Sequence, residues 1–538
     1  MKIPFTLSNV AEIAVSPINA DATLAAGGAG NRMMFAGVVV SPKGKPFEVL
    51  QVTASNWQRL LGKPFHSSKG IYAESLRQVA DAVNGGNGCV VRVVPNDFKF
   101  PVLTLNLTAS GGGRRAKAEV ELSAPGEVVA TVADSAMAFG TEIPVTDDTA
   151  LAVWIADGSE STNRKVSLVA ADVAQYGEGM FELKLVEVDS ANNETEVESF
   201  IVSMDEDALD DMGSPAFIET VLESRSQCLL AKVGPKAKQM TTFPSTVFVG
   251  GTSGDLSALT ADDYNRAISV LSASVINFTA VCSLGIYDEQ AIRGLVGICE
   301  NRRIGGFVDI NPRLNYADAI QAATDLALNK ERVSLYHLPY DYKDGFYGNR
   351  VVCGISGIAF TAKARGVAKT FPTGGWHYTP AGEERAVISR TGLRALTGIG
   401  EPDYEAMYKT RINKVSSNAA GLLFIDDSLT TCVRENYLRF EQVVSVADAI
   451  SRDFYNLANG LKHNPDGITF EGLVNGMTDI LDGYVSVGAL VQPRNPEDGK
   501  EPYQLFIEQT SIDSWKCRWA ICVSGSGRRF LGEPVLVR

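Results

Sequence analysis

Four histidines in 538 residues, His66, His337, His377 and His463, are the chain's whole stock of imidazole, and they lie far apart without an HxH or HExxH pair or a Cys neighbour. Metal ligation needs such groups at close helical or hairpin spacing, so a catalytic metal is not expected. Eight cysteines (Cys89, Cys228, Cys282, Cys299, Cys353, Cys432, Cys517, Cys522) are scattered singly with no CxxC pair. They read as reduced core residues of a protein made in a cytosol rather than as disulfides or metal ligands. Ser356 in CGISG and Ser253 in GGTSGD lack the spacing of a nucleophile elbow. No GxxxxGK[ST] loop occurs, and GAGNRM at Gly28 and GSGRRF at Gly525 lack the third glycine and the strand-to-helix setting of a dinucleotide site. An enzyme site, if the chain had one, would stand at the carboxyl ends of the middle strands, where Gly250, Gly251, Ser283, Asp309, Asn311 and His337 would converge. Polar residues at strand ends are also ordinary turn formers. No enzymatic activity and no cofactor are therefore expected. The pairs Arg302 with Arg303 and Arg528 with Arg529 are candidate interface charges, able to clamp partner carboxylates.

The elements that would position these residues fall into blocks. Residues 96–213 hold 23 acidic and 7 basic residues, whereas the whole chain holds 63 and 49, so the net charge of -14 belongs to this segment. Binding to phosphate backbones or anionic lipid would need a segregated basic face, so neither nucleic acid nor membrane is expected as a partner. The segment alternates apolar and polar residues at period two in LTLNLT near Leu105, KAEVELS near Val120, FELKLVEVD from Phe181 and VESFIVSM from Val197. It reads as an inserted, acidic, β-rich outer domain, solvated and dispensable for assembly. From Thr246 the pattern changes to TVFVG, a helix opened by Thr260 with Asp263 three residues later, VINFTAVCSL, a helix through Ile292, Leu295, Val296 and Cys299, GFVDI, a helix over 317–329, and VSLYHL from Val333. Strands alternating with helices imply a parallel sheet with right-handed crossovers. Beyond Ala381 one apolar stripe runs through Val433, Tyr437, Phe440, Val444, Ala447, Ile450, Phe454 and Leu457, and a second through Phe470, Leu473, Met477, Ile480 and Tyr484. Strand-like YQLFIEQ from Tyr503 and KCRWAICV from Lys516 follow. The start shows no h-region with a cleavage site, and nowhere do 18 apolar residues run uninterrupted, so neither an export signal nor a membrane span is expected.

The fold class expected is thus multidomain α/β and α+β, with these parts: 1–30, a strand arm and linker; 31–95, the first part of a discontinuous inner domain; 96–213, the insertion; 214–380, a middle α/β domain; 381–523, the second part of the inner domain; 524–538, a linker and strand arm. The two arms share a design. TLSNVAEIAV, with Leu7, Val10, Ile13 and Val15, is set off by a linker containing Gly27, Gly28 and Gly30. PVLVR, with Val535, Leu536 and Val537, follows Gly525 and Gly527. The glycines serve as hinges. A lone strand cannot satisfy its own backbone, so it must add to a sheet edge, in its own chain or in a neighbour.

Three stretches resemble the tail sheath protein family of contractile phage tails, R-type pyocins and type VI secretion sheaths. They are FAGVVVSPKGKPFEVLQVTASNWQRLLGKPF from Phe35 to Phe65, YAESLRQVADAVNGGNGCVVRVV from Tyr72 to Val94, and the last ~150 residues with LRFEQVVSVADAISRDFYNL, ITFEGLVNGMTDIL and GYVSVGAL. Before the long helix, AGLLFIDDSLTT stands where many phage sheaths carry an aromatic-Gly-x-Arg-Thr strand. The resemblance implies a homo-oligomer of hexameric rings, stacked helically around a tail tube and contracting one way to drive that tube through a host envelope. It further implies a virion tail location after synthesis in the host cytoplasm, contacts with tube, baseplate and tail terminator proteins, no cofactor, and arms that donate strands to neighbouring subunits. Two rival readings use the same residues: a monomeric surface-binding or adhesive protein working through the acidic segment, and an α/β hydrolase-like enzyme with a β accessory domain.

Overall fold

Apolar runs with no polar face make strands that are buried on both sides, and the chain builds its first sheet from such runs. The computed structural model describes residues 33–109, 128–158, 163–210, 212–239, 242–495, 497 and 499–529. Two compact units result: one holds residues up to Gly37, Ser67–Cys89 and those from Leu271 onward, the other Val38–His66 and Val90–Val270. The architecture is α/β and α+β with a composite, discontinuous layout and mixed sheets.

In the first unit the strand order is Ile412–Asn413, Val333–Tyr336, Gly305–Asp309, Ala280–Cys282, then the opening residues of Phe35–Val39 and of Gly88–Arg92. The pairings Phe35 with Ala280, Ala280 with Gly305, Gly306 with Val333 and Leu335 with Ile412 are all parallel. Crossover helices Glu289–Arg302 and Tyr316–Leu326 begin where Asp288 and Asn315 accept the amides of Ala291 and Asp318, and each ends at a residue in the left-handed region, Arg303 and Ala327. Helix Ser356–Val367 sets Phe360 against Phe35 and Phe307, at 5.3 and 6.3 Å between ring centroids. It also packs on helix Ser75–Ala82 at Gly357, where an added Cβ would lie 2.3 Å from the Gln78 carbonyl oxygen.

The two C-terminal stripes form an antiparallel helical hairpin, Glu441–Leu461 and Asp466–Ser486. Gly472 and Gly476 let these helices approach closely, since a Cβ at either would touch Leu461 or Leu457 at 2.5 Å. The first helix begins later than its stripe: Val433 and Tyr437 are exposed, and Tyr437 lies in a single 3-10 turn capped by Asn436. Spacing of three and four residues continued by coincidence across a capped turn.

The second unit contains two four-stranded antiparallel sheets. One is ordered Leu229–Val233, Thr149–Ile155, Lys99–Ala109, Val128–Ala138; the other Phe243–Val247, Arg164–Ala170, Met180–Val188, Glu194–Ser203. The strand expected at TVFVG from Thr246 to open the parallel run runs instead over Phe243–Val247 and pairs antiparallel with Arg164–Ala170. A period-two run does not encode which sheet receives it. KAEVELS lies outside the described residues. The Thr260–Asp263 box does open helix Ala261–Ala273, with each residue's side chain accepting the other's amide.

Charges hold this unit together internally. Arg164, wholly buried, meets Asp157 at 3.3 Å, donates to the Arg59 carbonyl at 2.5 Å, and reaches Glu187 at 3.4 Å, which Lys43 also meets at 3.0 Å. Arg92 donates to the carbonyls of Ser41, Gly44 and Ala156 at 2.8, 2.7 and 2.5 Å. Segment 38–66 and the acidic segment therefore share one polar core. Part of the acidic segment's charge thus neutralises buried cations instead of facing solvent.

Candidate strand-accepting interface

The strand-end location that would hold an enzyme site is filled by the chain's own groups. Asp309, at the end of its strand, is buried; its two carboxylate oxygens accept the amides of Ile355 and Ser356 at 2.8 and 2.9 Å, at the amino end of helix Ser356–Val367. Ser283 stands beside it, its hydroxyl accepting the Asp309 amide at 3.0 Å, and the Ser356 hydroxyl donates to Gln78 Oε1. Burial pushes the Asp309 carboxyl up, against the pull of those amides. A Cβ at Gly354 would meet the Asp309 carboxylate at 2.5 Å, so the space is packed. Next to it, buried Glu74 accepts from Tyr287 at 2.5 Å, from the Gly354 amide at 3.0 Å and from Arg313. A helix N-terminus that might bind an external anion is thus satisfied internally.

Of the residues nominated for that place, only Ser283 and Asp309 come together. Asn311 closes a turn on the Arg313 amide at 3.0 Å. His337 packs edge-on to Tyr316 with ring centroids 5.8 Å apart and makes no hydrogen bond to the pair. Gly250 and Gly251 belong to the other unit. Among the described residues no cluster of His, Cys, Asp or Glu has a metal-binding arrangement, no helix is long and apolar enough to cross a membrane, and all eight cysteines are free.

A sheet whose edges are open among the described residues lies elsewhere in the first unit. Strands Tyr503–Ser511 and Ser514–Ile521 form a two-stranded antiparallel sheet, in register from Tyr503 opposite Ile521 to Gln509 opposite Trp515. Period-two side chains divide it cleanly. Outward lie Gln504, Phe506, Glu508, Lys516 and Arg518, with Glu508 and Lys516 paired at 3.1 Å and Arg518 over Phe506 at 5.9 Å. Inward, Trp519 rests on Phe454 at 5.0 Å and Trp515 on Phe470 at 6.0 Å, fixing the sheet to the helical hairpin, and Tyr503 donates to Asp482 at 2.7 Å. Among the described residues neither edge is paired with a further strand. Two strands alone are marginal in water, and each open edge presents a row of amides and carbonyls ready to template another strand. The sequence signals the strands, but nothing in it marks their edges as vacant.

Residues near both ends of the described stretch reach the first helix of this hairpin. Met33 lines a notch with Val444, Asp448 and Arg452, and Ser526 accepts from Gln442 at 3.1 Å. The arm residues Leu7, Val10, Ile13, Val15, Val535, Leu536 and Val537, and the hinge residues Gly27, Gly28 and Gly30, lie outside the described residues. Gly525 and Gly527 are exposed. Arg302 donates to the carbonyls of Ile276 at 2.8 Å, Ser272 at 3.1 Å and Ser274, and lies over Phe278 at 4.1 Å. Arg303 ends its helix and gives its carbonyl to Arg452 at 3.3 Å. Arg528 forms a two-pronged pair with Asp427, and Arg529 is exposed.

No family model matches the chain, and no curated protein matches it. Solved structures do. The fold is similar to that of the sheath tail protein Lin1278 from Listeria innocua, with 12% identity and a TM-score of 0.54 over 94% of this chain and 95% of that one. The sheath tail protein DSY3957 from Desulfitobacterium hafniense gives 10% identity and 0.47 over 96% and 100%, and the PVC sheath complex of an extracellular contractile injection system, in its contracted state, 12% and 0.40 over 50% and 74%. At such identities the first comparison establishes a shared fold.

Proposed function

We propose that the chain is the structural subunit of a contractile phage tail sheath, polymerising as stacked hexameric rings around a tail tube and contracting to drive the tube through the host envelope. The observation that carries this is the two-stranded sheet Tyr503–Ile521, vacant at both edges among the described residues, beside the helix that Met33 and Ser526 reach. Lone strand-forming arms and open edges are complementary halves of one contact. The shared fold over nearly the full length of a sheath tail protein supports the same reading. On this reading Leu7, Val10, Ile13 and Val15 at one end, and Val535, Leu536 and Val537 at the other, add strands to neighbours' edges, and Gly27, Gly28 and Gly30 give the first arm its reach.

Backbone hydrogen bonds across such added strands keep subunits linked, while rigid units rotate between two packings. Contraction then releases energy stored in a less favourable lattice, without metal, nucleotide or turnover. The partners are further copies of the chain, the tube, the baseplate and the tail terminator, in a virion tail assembled in host cytoplasm. Negative-stain electron microscopy of the purified protein tests this: tubular polymers are expected for the wild type, and folded, soluble, unpolymerised protein after joint deletion of residues 1–15 and 533–538. Wild-type polymers from the doubly deleted chain would sink the strand-donation mechanism.

A further inference from the structure

Residues Val523–Arg529, which by composition should swing freely, are fastened at every second position. Val523 bridges to Leu490, and the Ser524 amide donates to the Ala489 carbonyl at 2.9 Å. The Ser526 hydroxyl accepts from Gln442 Nε2 at 3.1 Å. Arg528 grips Asp427 with Nε at 2.8 Å and Nη2 at 2.5 Å, its guanidinium 5.6 Å from the Phe440 ring centroid. The exposed glycines Gly525 and Gly527 fall between these anchors. A Ser-Gly backbone has little preference for this path, so side-chain contacts at 526 and 528 hold it.

We propose that this strap is a releasable latch giving the C-terminal arm two lengths. Closed, the arm springs from Arg529; opened, it springs from Ser524, and the five residues 525–529 add ~17 Å of reach at about 3.4 Å each. The inference rests on the strand-donation reading, because reach matters only to an arm that must stay paired while subunits move. Arg528 and Asp427 keep a quarter and a fifth of their side chains in solvent, so the grip is open to water and able to yield under load. The strap therefore sets a short tether at rest and pays out when a neighbour draws away, without breaking the strand contact itself.

Limited trypsin digestion of the chain, kept below the concentration at which it polymerises, tests the latch apart from assembly. While Asp427 holds the Arg528 side chain, the Arg528–Arg529 bond is shielded, and the rate of cleavage follows the open fraction. Asp427→Asn should speed that cleavage about tenfold, the loss of a charge-assisted two-pronged contact. Cleavage after Lys462, in the exposed turn between the long helices, is the internal reference and should not change. Should Asp427→Asn raise both rates together through unfolding, Arg528→Lys decides: it keeps the cleavage site and the charge but loses the fork, and should speed the cut severalfold. Equal wild-type and variant rates at this bond would overturn the latch while leaving strand donation standing. Conversely, a latched chain that never polymerises would overturn the proposed function and not the latch.

Discussion

Replacing Asp309 separates a structural carboxylate from a catalytic one. In Asp309→Ala the amides of Ile355 and Ser356, held now at 2.8 and 2.9 Å, lose their acceptors inside a fully buried helix start. An orphaned buried donor costs about 1–3 kcal/mol, so two cost about 2–6 kcal/mol. Removing a carboxyl whose burial is itself unfavourable returns part of this, leaving about 3 kcal/mol. At about 2–4 °C per kcal/mol, the melting transition of the first unit should fall by ~6–12 °C. Asp309→Asn retains one acceptor and turns a donor toward the other amide, so about 2 kcal/mol is expected, and Ser283→Ala, which removes the acceptor for the Asp309 amide, should cost about 1 kcal/mol. Calorimetry and urea titration of the chain, below the concentration at which it polymerises, read these differences. An Asp309→Ala chain within about 0.5 kcal/mol of wild type, the scatter of a harmless surface change, would refute the account and return Asp309 to the list of active-site candidates.

Burial pushes the His337 imidazole down to about 4, whereas an unfolded histidine titrates near 6.5. Between those values the unfolded chain binds the extra proton, so stability should fall as pH drops through that window, by up to about 1.4 kcal/mol per pH unit, and His337→Phe should flatten this part of a plot of urea midpoint against pH. Arg164→Met leaves Asp157 buried without its cation and should cost the second unit about 3–5 kcal/mol by urea titration. Replacing residues 96–213 by a Gly-Ser link should for the same reason yield insoluble protein in a fractionated lysate, since Lys43 and the Arg59 carbonyl lose their partners and Arg92 one of its three acceptors. Gly357→Ala drives a Cβ into the Gln78 carbonyl and should lower the melting temperature of the first unit, overpacking of this kind costing about 1–3 kcal/mol.

Local pattern was legible where local physics decides it. The Thr260–Asp263 box, the parallel run around Phe307 and the paired stripes ending at Leu457 and Tyr484 each follow from short-range rules of capping and periodicity. What escaped was set by partners distant in sequence. Nothing near Arg164 or Lys45 in the sequence reveals that each is wholly buried. Phe243–Val247 has strand chemistry but no mark of its partner, Arg164–Ala170. At the candidate interface the alternation in YQLFIEQ and KCRWAICV identified both strands, yet which described segments pair with their edges is decided by the fold and not by that alternation. The SGSG stretch was read as free because its backbone is; the restraint comes from Gln442 and Asp427, some hundred residues earlier for the latter.

The two indoles beneath the open-edged sheet give the molecule a built-in optical reporter. Of five tryptophans, Trp57, Trp154 and Trp376 are buried and spectrally fixed by their surroundings, while Trp515 and Trp519 alone remain partly wetted, at the seam between sheet and helices. Anything that tightens or lifts that seam alters their exposure to water. The emission maximum and its quenching by acrylamide would therefore follow events at this one place, against a steady background from three indoles that the quencher reaches poorly, with no label attached.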